Sequence, residues 1–248
     1  VYVAYFFFSK NASLKPRFKH LVFKKPIVSE IGALGFVTLA RQAATSVTYL
    51  VMNSLLFSMG GEALVAVYAI VGRMLMFALF PVFGVTQGFL PIAGFNYGAG
   101  NMQRVRESIN TAILYASALA TLVFIGLMVF PEAITALFLS SKNADPETMV
   151  LNAYVLEHTP AAMRWVFAAT PIIALQLIGA AYFQAAGKAI PALLLTLSRQ
   201  ALLFIPLVFL LPMWFGTIGV WLAFPISDVL ATLITGYFLR REIKRFFS

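Results

Sequence analysis

Polar side chains recur along one stretch of an otherwise apolar sequence, where they could hydrogen-bond to water or to a solute. The spacing of Thr38, Gln42, Thr45, Tyr49 and Asn53 puts all five on one face of a helix. In a membrane-spanning helix, such a face either lines a water-filled cavity or forms hydrogen bonds between helices. The sequence leaves both interpretations open.

Four ionisable residues also lie within apolar segments: Arg41, Arg73, Arg199 and Asp228. A mid-depth arginine costs about 2.5–3.5 kcal/mol on insertion scales, which favours a functional or gating role for Arg41, although its side chain could also snorkel to the surface. Arg199 and Asp228 lie in consecutive apolar segments and could pair. We prefer the alternative, in which Arg199 reaches the lipid headgroups.

Patterns that would indicate catalysis or metal binding are missing from the sequence. It has no cysteine, which excludes disulfides, thiolate metal ligands and cysteine nucleophiles. His20 and His158 have no partners at metal-ligand spacing, and no Ser/His/Asp arrangement is visible. We therefore expect no catalytic residue, metal site or cofactor, and a membrane-embedded enzyme is a less favoured alternative.

The composition indicates a membrane protein. Of the 248 residues, 61% are hydrophobic and 11% charged, whereas soluble domains have about 45–50% and about 25%. So few polar residues cannot cover the surface of a soluble domain of this size. A soluble enzyme, a nucleic-acid-binding domain and a disordered regulator are therefore disfavoured.

Runs of about 20 apolar residues can cross a bilayer as helices, and the sequence contains six of them. Gly60 and Gly61 predict a turn between the first two, and Asp145-Pro146-Glu147 favours a helix start inside a polar connector, 131–160. The predicted fold is an all-α bundle of six transmembrane helices. The predicted spans are 31–57, 63–90, 105–130, 161–186, 190–211 and 217–239.

Basic residues are concentrated in alternating loops, so we interpret the net charge of +9 as a topology signal. The positive-inside rule then places both ends of this chain in the cytoplasm, with the protein in the cell membrane. Segment 1–8 is expected to end a preceding transmembrane helix, and 9–30 to form a basic amphipathic stretch on the membrane surface. The six-helix lobe is 31–240, followed by a basic tail, 241–248.

Glycine and proline are frequent in and after the second span. Small residues four apart allow close helix approach, and dense Gly and Pro favour bending of a transporter helix. We therefore predict hinge or helix-packing roles for six residues. These are Pro81, Gly84, Gly88, Pro91, Gly94 and Gly98.

The string QGFLPIAGFNYGAGNMQRVR, residues 87–106, resembles a signature of the multidrug and toxic compound extrusion (MATE) family. Leu39-Ala40-Arg41-Gln42 with Asn53 resembles the family's seventh helix. Phe183–Lys188 and Phe215–Asp228 resemble parts of its later helices. The resemblance extends over nearly the whole chain.

The resemblance implies one six-helix lobe of a twelve-helix, pseudo-symmetric secondary transporter. Such proteins export organic, often cationic, compounds in exchange for H⁺ or Na⁺ by alternating access. The implied partners are an amphipathic small molecule, the lipid bilayer and an N-terminal lobe outside this chain, but no nucleic acid. A lipid-linked saccharide flippase of the same superfamily is the main alternative, and a structural subunit is another.

The resemblance also bears on the transport pathway. Some members carry a Glu in the seventh helix and an Asp in the tenth. Here the seventh helix has Gln42 and Asn53 in its body, and the tenth has Gln176, which argues against a Na⁺ site of that type. Our candidate pathway consists of Arg41, Gln42, Thr45, Tyr49, Asn53, Gln176 and Asp228.

Overall fold

The computed structural model describes residue 22 and residues 24–139 and 145–247, and every regular element in these ranges is helical. The all-α prediction is therefore confirmed. Our expectations for segment 1–8, and for most of 9–30, lie outside the described residues.

Helix α1, Lys25–Gly98, contains the first two predicted spans and is divided by a turn at Gly60 and Gly61. Gly61 has φ 63° and ψ −152°, a conformation that L side chains rarely adopt. The Tyr49 and Tyr68 rings, on opposite sides of this turn, have centroids 5.8 Å apart. The two arms, 25–59 and 62–98, therefore pack side by side as a helical hairpin.

The start of α1 corrects one predicted boundary. The helix begins at Lys25 with a proline in its first turn, a position where the missing N–H costs nothing. Residues 25–30 are consequently helical and continuous with the first arm, and their position at the membrane surface stays a prediction.

Helix α2, Met102–Val129, matches the third predicted span. It follows a tight turn in which Gly100 has φ 73°. The Asn101 side chain caps the helix by accepting a hydrogen bond from the Arg104 backbone N–H at 3.2 Å, which satisfies one of the free donors at the helix start.

The prediction of a polar connector over 131–160 is wrong. Two helices occupy most of it, α3, Pro131–Phe138, and α4, Pro146–Val166. The predicted helix start at Asp145-Pro146-Glu147 is confirmed. The polar residues fall mainly on exposed helix faces, while the opposite faces are buried at Pro131, Thr135, Val155, Thr159 and Pro160.

The last three predicted spans are helical but interrupted. A short 3₁₀ turn, Thr170–Ile172, precedes α5, and a π-helical segment separates α6 from α7. Gly216, with φ 56°, divides α8 near its start. The bounds are α5 Ile173–Ala185, α6 Ala189–Leu197, the π segment Ser198–Leu203, α7 Phe204–Leu210 and α8 Pro212–Phe247.

The loops predicted to share one side of the membrane meet at one end of the bundle. Lys188, in the turn between α5 and α6, forms an ion pair with Glu242 near the end of α8. Its Nζ also lies 5.9 Å from the centroid of the Tyr97 ring, near the end of α1. Glu30 lies beside Gly187 in the same turn. The assignment of this end to the cytoplasm stays a prediction.

Two buried apolar clusters hold the helices together, one around Leu56, Val67 and Phe167 and the other around Phe89, Ile109 and Ile178. Many large apolar side chains on the outer surface are exposed. Within the described residues, five helical stretches are long and apolar enough to cross a membrane, and the longest is the two-armed α1.

Close packing between α5 and α8 leads to a test at Gly179. A Cβ at this position would lie inside van der Waals contact of the methyl group of Thr235, which is fully buried. We expect Gly179→Ala to lower the unfolding free energy by about 1–3 kcal/mol through overpacking.

Gly126→Ala in α2 is the matched control, because a Cβ there meets nothing within 4 Å. It should be neutral or stabilising by up to about 1 kcal/mol. The measurement is thermal unfolding of the purified protein in detergent. Equal unfolding temperatures for the two variants would contradict the predicted α5–α8 packing.

Candidate functional site

A cavity of about 170 Å³ lies between both arms of α1, α5, and the α6–π segment. We call it the arginine cavity. Its wall contains no acidic residue, and the remaining lining is apolar. The polar lining residues are two arginines, Arg41 and Arg199, four glutamines, Gln87, Gln176, Gln184 and Gln200, and three threonines, Thr38, Thr86 and Thr196.

Arg41 lies in this wall without an acidic partner. All nine Asp and Glu residues of the sequence are within the described ranges, and none forms an ion pair with Arg41. The Arg41 side chain is half-buried. Arg41 lies 16 residues after Lys25, where α1 begins, which corresponds to about 24 Å along the helix axis. The sequence-based choice of Arg41 as a pathway residue stays a prediction, and the geometry places it beside a cavity.

Gln176, a second predicted pathway residue, lines the same cavity and ties two helices together. Its Nε2 donates a hydrogen bond to the Leu195 carbonyl at 3.0 Å. That carbonyl also accepts from the Ser198 hydroxyl at 2.7 Å. The Thr48 hydroxyl, from α1, donates to the Gln200 carbonyl at 3.0 Å. Hydrogen bonds from α1 and α5 therefore converge on and just before the π segment.

Arg199 lies in that π segment and pairs with Asp228 of α8. Its Nε donates to Asp228 Oδ1 at 2.5 Å, and both side chains are about nine-tenths buried or more. Our preferred expectation, that Arg199 reaches the headgroups, is therefore wrong. A carboxylate on the adjacent helix gives the guanidinium a partner in the bundle interior, which lowers the cost of burying both charges. π segments occur frequently at functional sites.

The remaining stripe residues do not line the arginine cavity. Gln42, Tyr49 and Asn53 are exposed on the first arm, and Thr45 is half-buried. The Thr45 hydroxyl donates to the Arg41 carbonyl at 3.0 Å within the same helix. Among the described residues, no hydrogen bond joins the side chain of Gln42, Tyr49 or Asn53 to another helix. Hydrogen bonding within this lobe therefore does not account for these three residues of the stripe.

The stripe is distinct from a neighbouring exposed face of the same arm. That second face carries Leu39, Val47, Leu50 and Phe57, all large and strongly exposed apolar side chains. An apolar face suits contact with lipid, whereas an exposed polar face in a membrane helix requires water or a protein partner.

The glycines and prolines of the second arm behave differently from one another. Pro81 and Pro91 lie inside the helix without a break in its backbone angles. A Cβ at Gly94 would be 3.4 Å from the Ala185 carbonyl, so Gly94 packs against α5. A Cβ at Gly84, Gly88 or Gly98 meets nothing within 4 Å. These three glycines are therefore not closely packed against other described residues. The predicted hinge role stays a prediction.

Sequence reasoning missed several residues of the cavity wall. Gln176 and Gln184 lie eight positions apart on α5 and so share a face, a signal that was available from the sequence. Gln184 Nε2 lies 3.5 Å from Thr38 Oγ1. Gln200 had no comparable signal, because its position depends on the π segment. Among the described residues, no three His, Asp or Glu side chains group as metal ligands.

Comparison with known proteins identifies the family. The MatE family model matches residues 38–210. The chain belongs to the MATE family. Multidrug export protein MepA of Staphylococcus haemolyticus is 25% identical over 215 residues, which cover 87% of this chain and 44% of MepA. A protein of Shewanella oneidensis named FAD transporter is 24% identical over 71% of this chain and 37% of its own length.

Solved structures give the same fold. A MATE protein in complex with MaL6 superposes with a TM-score of 0.89 at 21% identity, covering 99% of this chain and 53% of that one. The MATE multidrug transporter DinF-BH has a TM-score of 0.81 at 34% identity, covering 100% and 53%. The chain thus spans about half the length of the proteins it matches.

Family membership confirms the resemblance seen in the sequence and the membrane-bundle fold. The protein is a multi-pass membrane protein of a transporter family, in agreement with our expectation that it is not an enzyme.

The Arg199–Asp228 pair leads to a test by charge exchange. Arg199→Asp and Asp228→Arg alone should each sharply reduce the folded protein, because each leaves two like charges in the interior, and even the loss of one partner costs about 3–5 kcal/mol. The double exchange should restore folding at least in part. The yield of monodisperse protein in size-exclusion chromatography measures the effect.

The exposed pair Arg164–Glu132, at 2.8 Å with both side chains more than half exposed, is the matched control. The same exchanges there should change the yield little, because exposed pairs contribute about 0–1 kcal/mol. A double exchange of Arg199 and Asp228 no better than its single variants would exclude the pairing.

Proposed function

We propose that the protein is a secondary active exporter of amphipathic organic compounds, driven by exchange for H⁺ or Na⁺ through alternating access. This chain supplies one six-helix lobe. The proposal follows the family and the multidrug export named for MepA, a relative that this chain matches over 44% of its length. We place the protein in the cell membrane with both ends of this chain in the cytoplasm, on the distribution of basic residues.

The observation that carries the proposal is the exposed polar stripe on the first arm. Gln42 and Asn53 are exposed although the arm belongs to a helix apolar enough to cross a membrane. Polar groups facing hydrocarbon are costly, so such a face is expected to border a water-filled cleft. A cleft of this kind, between two lobes, would give substrates and ions a path.

A second lobe is part of the proposal because this chain matches only about half the length of its relatives. The stripe supplies a polar surface for that lobe to face, and the neighbouring apolar face suits lipid. Rocking of one lobe against the other would expose the cleft to each side in turn.

The coupling ion is proposed as H⁺ or Na⁺, with this lobe offering few groups for it. Glu107 lies at the start of the third predicted span, and Asp228, well inside the sixth, already pairs with Arg199. A cation that binds in this lobe would have to compete with the guanidinium. We infer that the residues that bind the coupling ion lie largely outside this lobe.

Neighbouring residues of the first arm provide the test. Asn53→Leu should reduce ion-driven efflux of the dye rhodamine 6G about tenfold, roughly the effect of one lost hydrogen bond to a charged or polar solute. Ser54→Leu, on the side of the same turn that continues the apolar face, should leave efflux unchanged. The measurement uses the protein, expressed from its full coding region and reconstituted in vesicles with an imposed pH or Na⁺ gradient.

Two results would count against the proposal. Absence of gradient-dependent efflux from well-folded protein, for rhodamine 6G and for other amphipathic dyes, would remove the exporter function. Equal loss of efflux in the Asn53 and Ser54 variants would instead remove the assignment of the polar stripe to the cleft.

A further inference from the structure

The charge of the arginine cavity indicates what it can bind. Its wall contains two arginines and no acidic residue. Asp228, which does not line the cavity, neutralises Arg199 at 2.5 Å. The structure describes all the acidic residues, and none of them forms an ion pair with Arg41. The cavity therefore carries one uncompensated positive charge.

Burial in the bundle makes this charge effective. Arg41 is half-buried, and electrostatic interactions at such a site are much less screened than in water. An intramembrane arginine is by default a candidate functional residue because of its insertion cost. A guanidinium presents several N–H donors in a fixed plane, which matches the two oxygens of a carboxylate or phosphate.

The neighbouring polar groups offer donors, but Gln176 Oε1 and Gln200 Oε1 are buried acceptors without a partner among the described residues, so the preference for an anion comes from the Arg41 charge. Gln87 and Gln184 line the wall with amide groups that contain N–H donors, and Thr196 adds a hydroxyl. A protonated amine would find Phe83 as its aromatic contact, but it would also meet the Arg41 charge. The resemblance to exporters of organic cations implied the opposite preference.

The size of the cavity limits what can enter. About 170 Å³ is similar to an engineered cavity of about 150 Å³ that holds benzene, and smaller than the ~300–1,000 Å³ of sites for drug-sized ligands. The cavity thus accommodates one functional group of a larger molecule, with the rest of that molecule in the cleft.

We propose that the arginine cavity binds a carboxylate or phosphate group of an amphipathic substrate, with Arg41 as its charge partner. The inference deepens the proposed transport function and depends on it. It assigns this lobe a preference for acidic or zwitterionic compounds over simple cations.

A pair of dyes isolates the acidic group. Rhodamine 6G is an ethyl ester, and its free acid, rhodamine 19, differs from it only in carrying a carboxylate. Binding of each to the purified protein in phosphatidylcholine nanodiscs is measured by fluorescence anisotropy. We expect the unmodified protein to bind the acid about tenfold more tightly, the effect of one charge-assisted hydrogen bond.

Variants at two arginines then locate the site. Arg41→Gln should remove the preference by weakening binding of the acid about tenfold without changing binding of the ester, and Arg41→Lys should retain part of it. Arg73→Gln is the matched control, because Arg73 is an exposed arginine of the second arm that lies 6.0 Å from the Phe138 ring centroid, outside the cavity. It should leave both affinities unchanged.

Several outcomes would overturn the inference. Equal or tighter binding of the ester by the unmodified protein would do so, as would equal losses for both dyes in Arg41→Gln. Displacement of the acid by phosphatidylglycerol at low mole fraction, with no dye preference remaining, would show a lipid headgroup in the cavity instead of a substrate. Ester efflux without any acid preference would reject this inference and keep the exporter function, whereas failure to bind or transport either dye would reject both.

Discussion

The ion pair between Arg199 and Asp228 is the interaction on which the interior of this lobe depends. Two charges lie in an apolar bundle, and neither could remain there alone at an acceptable cost. Their contact at 2.5 Å joins the π segment to α8 and removes both charges from the electrostatic balance of the cavity. Arg41 therefore determines that the net charge of the cavity is positive.

The π segment and the residues just before it provide hydrogen-bond acceptors that fix neighbouring helices. Carbonyl groups at or just before it accept hydrogen bonds from Gln176 and Thr48, so three elements are held at the cavity wall by polar contacts. The second arm of α1 contributes Gln87 and Thr86 to the same wall. Movement of any one of these helices would change the shape of the cavity.

Much of the fold follows from local sequence signals, whereas the site depends on contacts between distant residues. The lengths of the apolar runs and the Gly60-Gly61 pair were sufficient to place the two arms of α1. Asp145-Pro146 was sufficient to place the start of α4. The helices within 131–160 were not predicted because the polar residues of this segment draw attention away from its buried face, which includes Thr135 and Val155. The sequence offered Asp228 as a partner for Arg199, but the choice between this pair and the headgroups depends on how two helices 29 residues apart pack, which helical periodicity does not give.

The measurement that tests the central claim most directly is the reactivity of single cysteines with charged thiol reagents, since the chain has no cysteine of its own. Thr38 lines the cavity, and Leu39 beside it faces outward and is 64% exposed. Thr38→Cys should react from water, faster with an anionic than with a cationic methanethiosulfonate once each rate is divided by that for free thiol, and Arg41→Gln should abolish the difference. Leu39→Cys, in lipid, should remain unreactive. An unreactive Thr38→Cys, or one that favours the cationic reagent, would contradict a water-accessible, positively charged cavity.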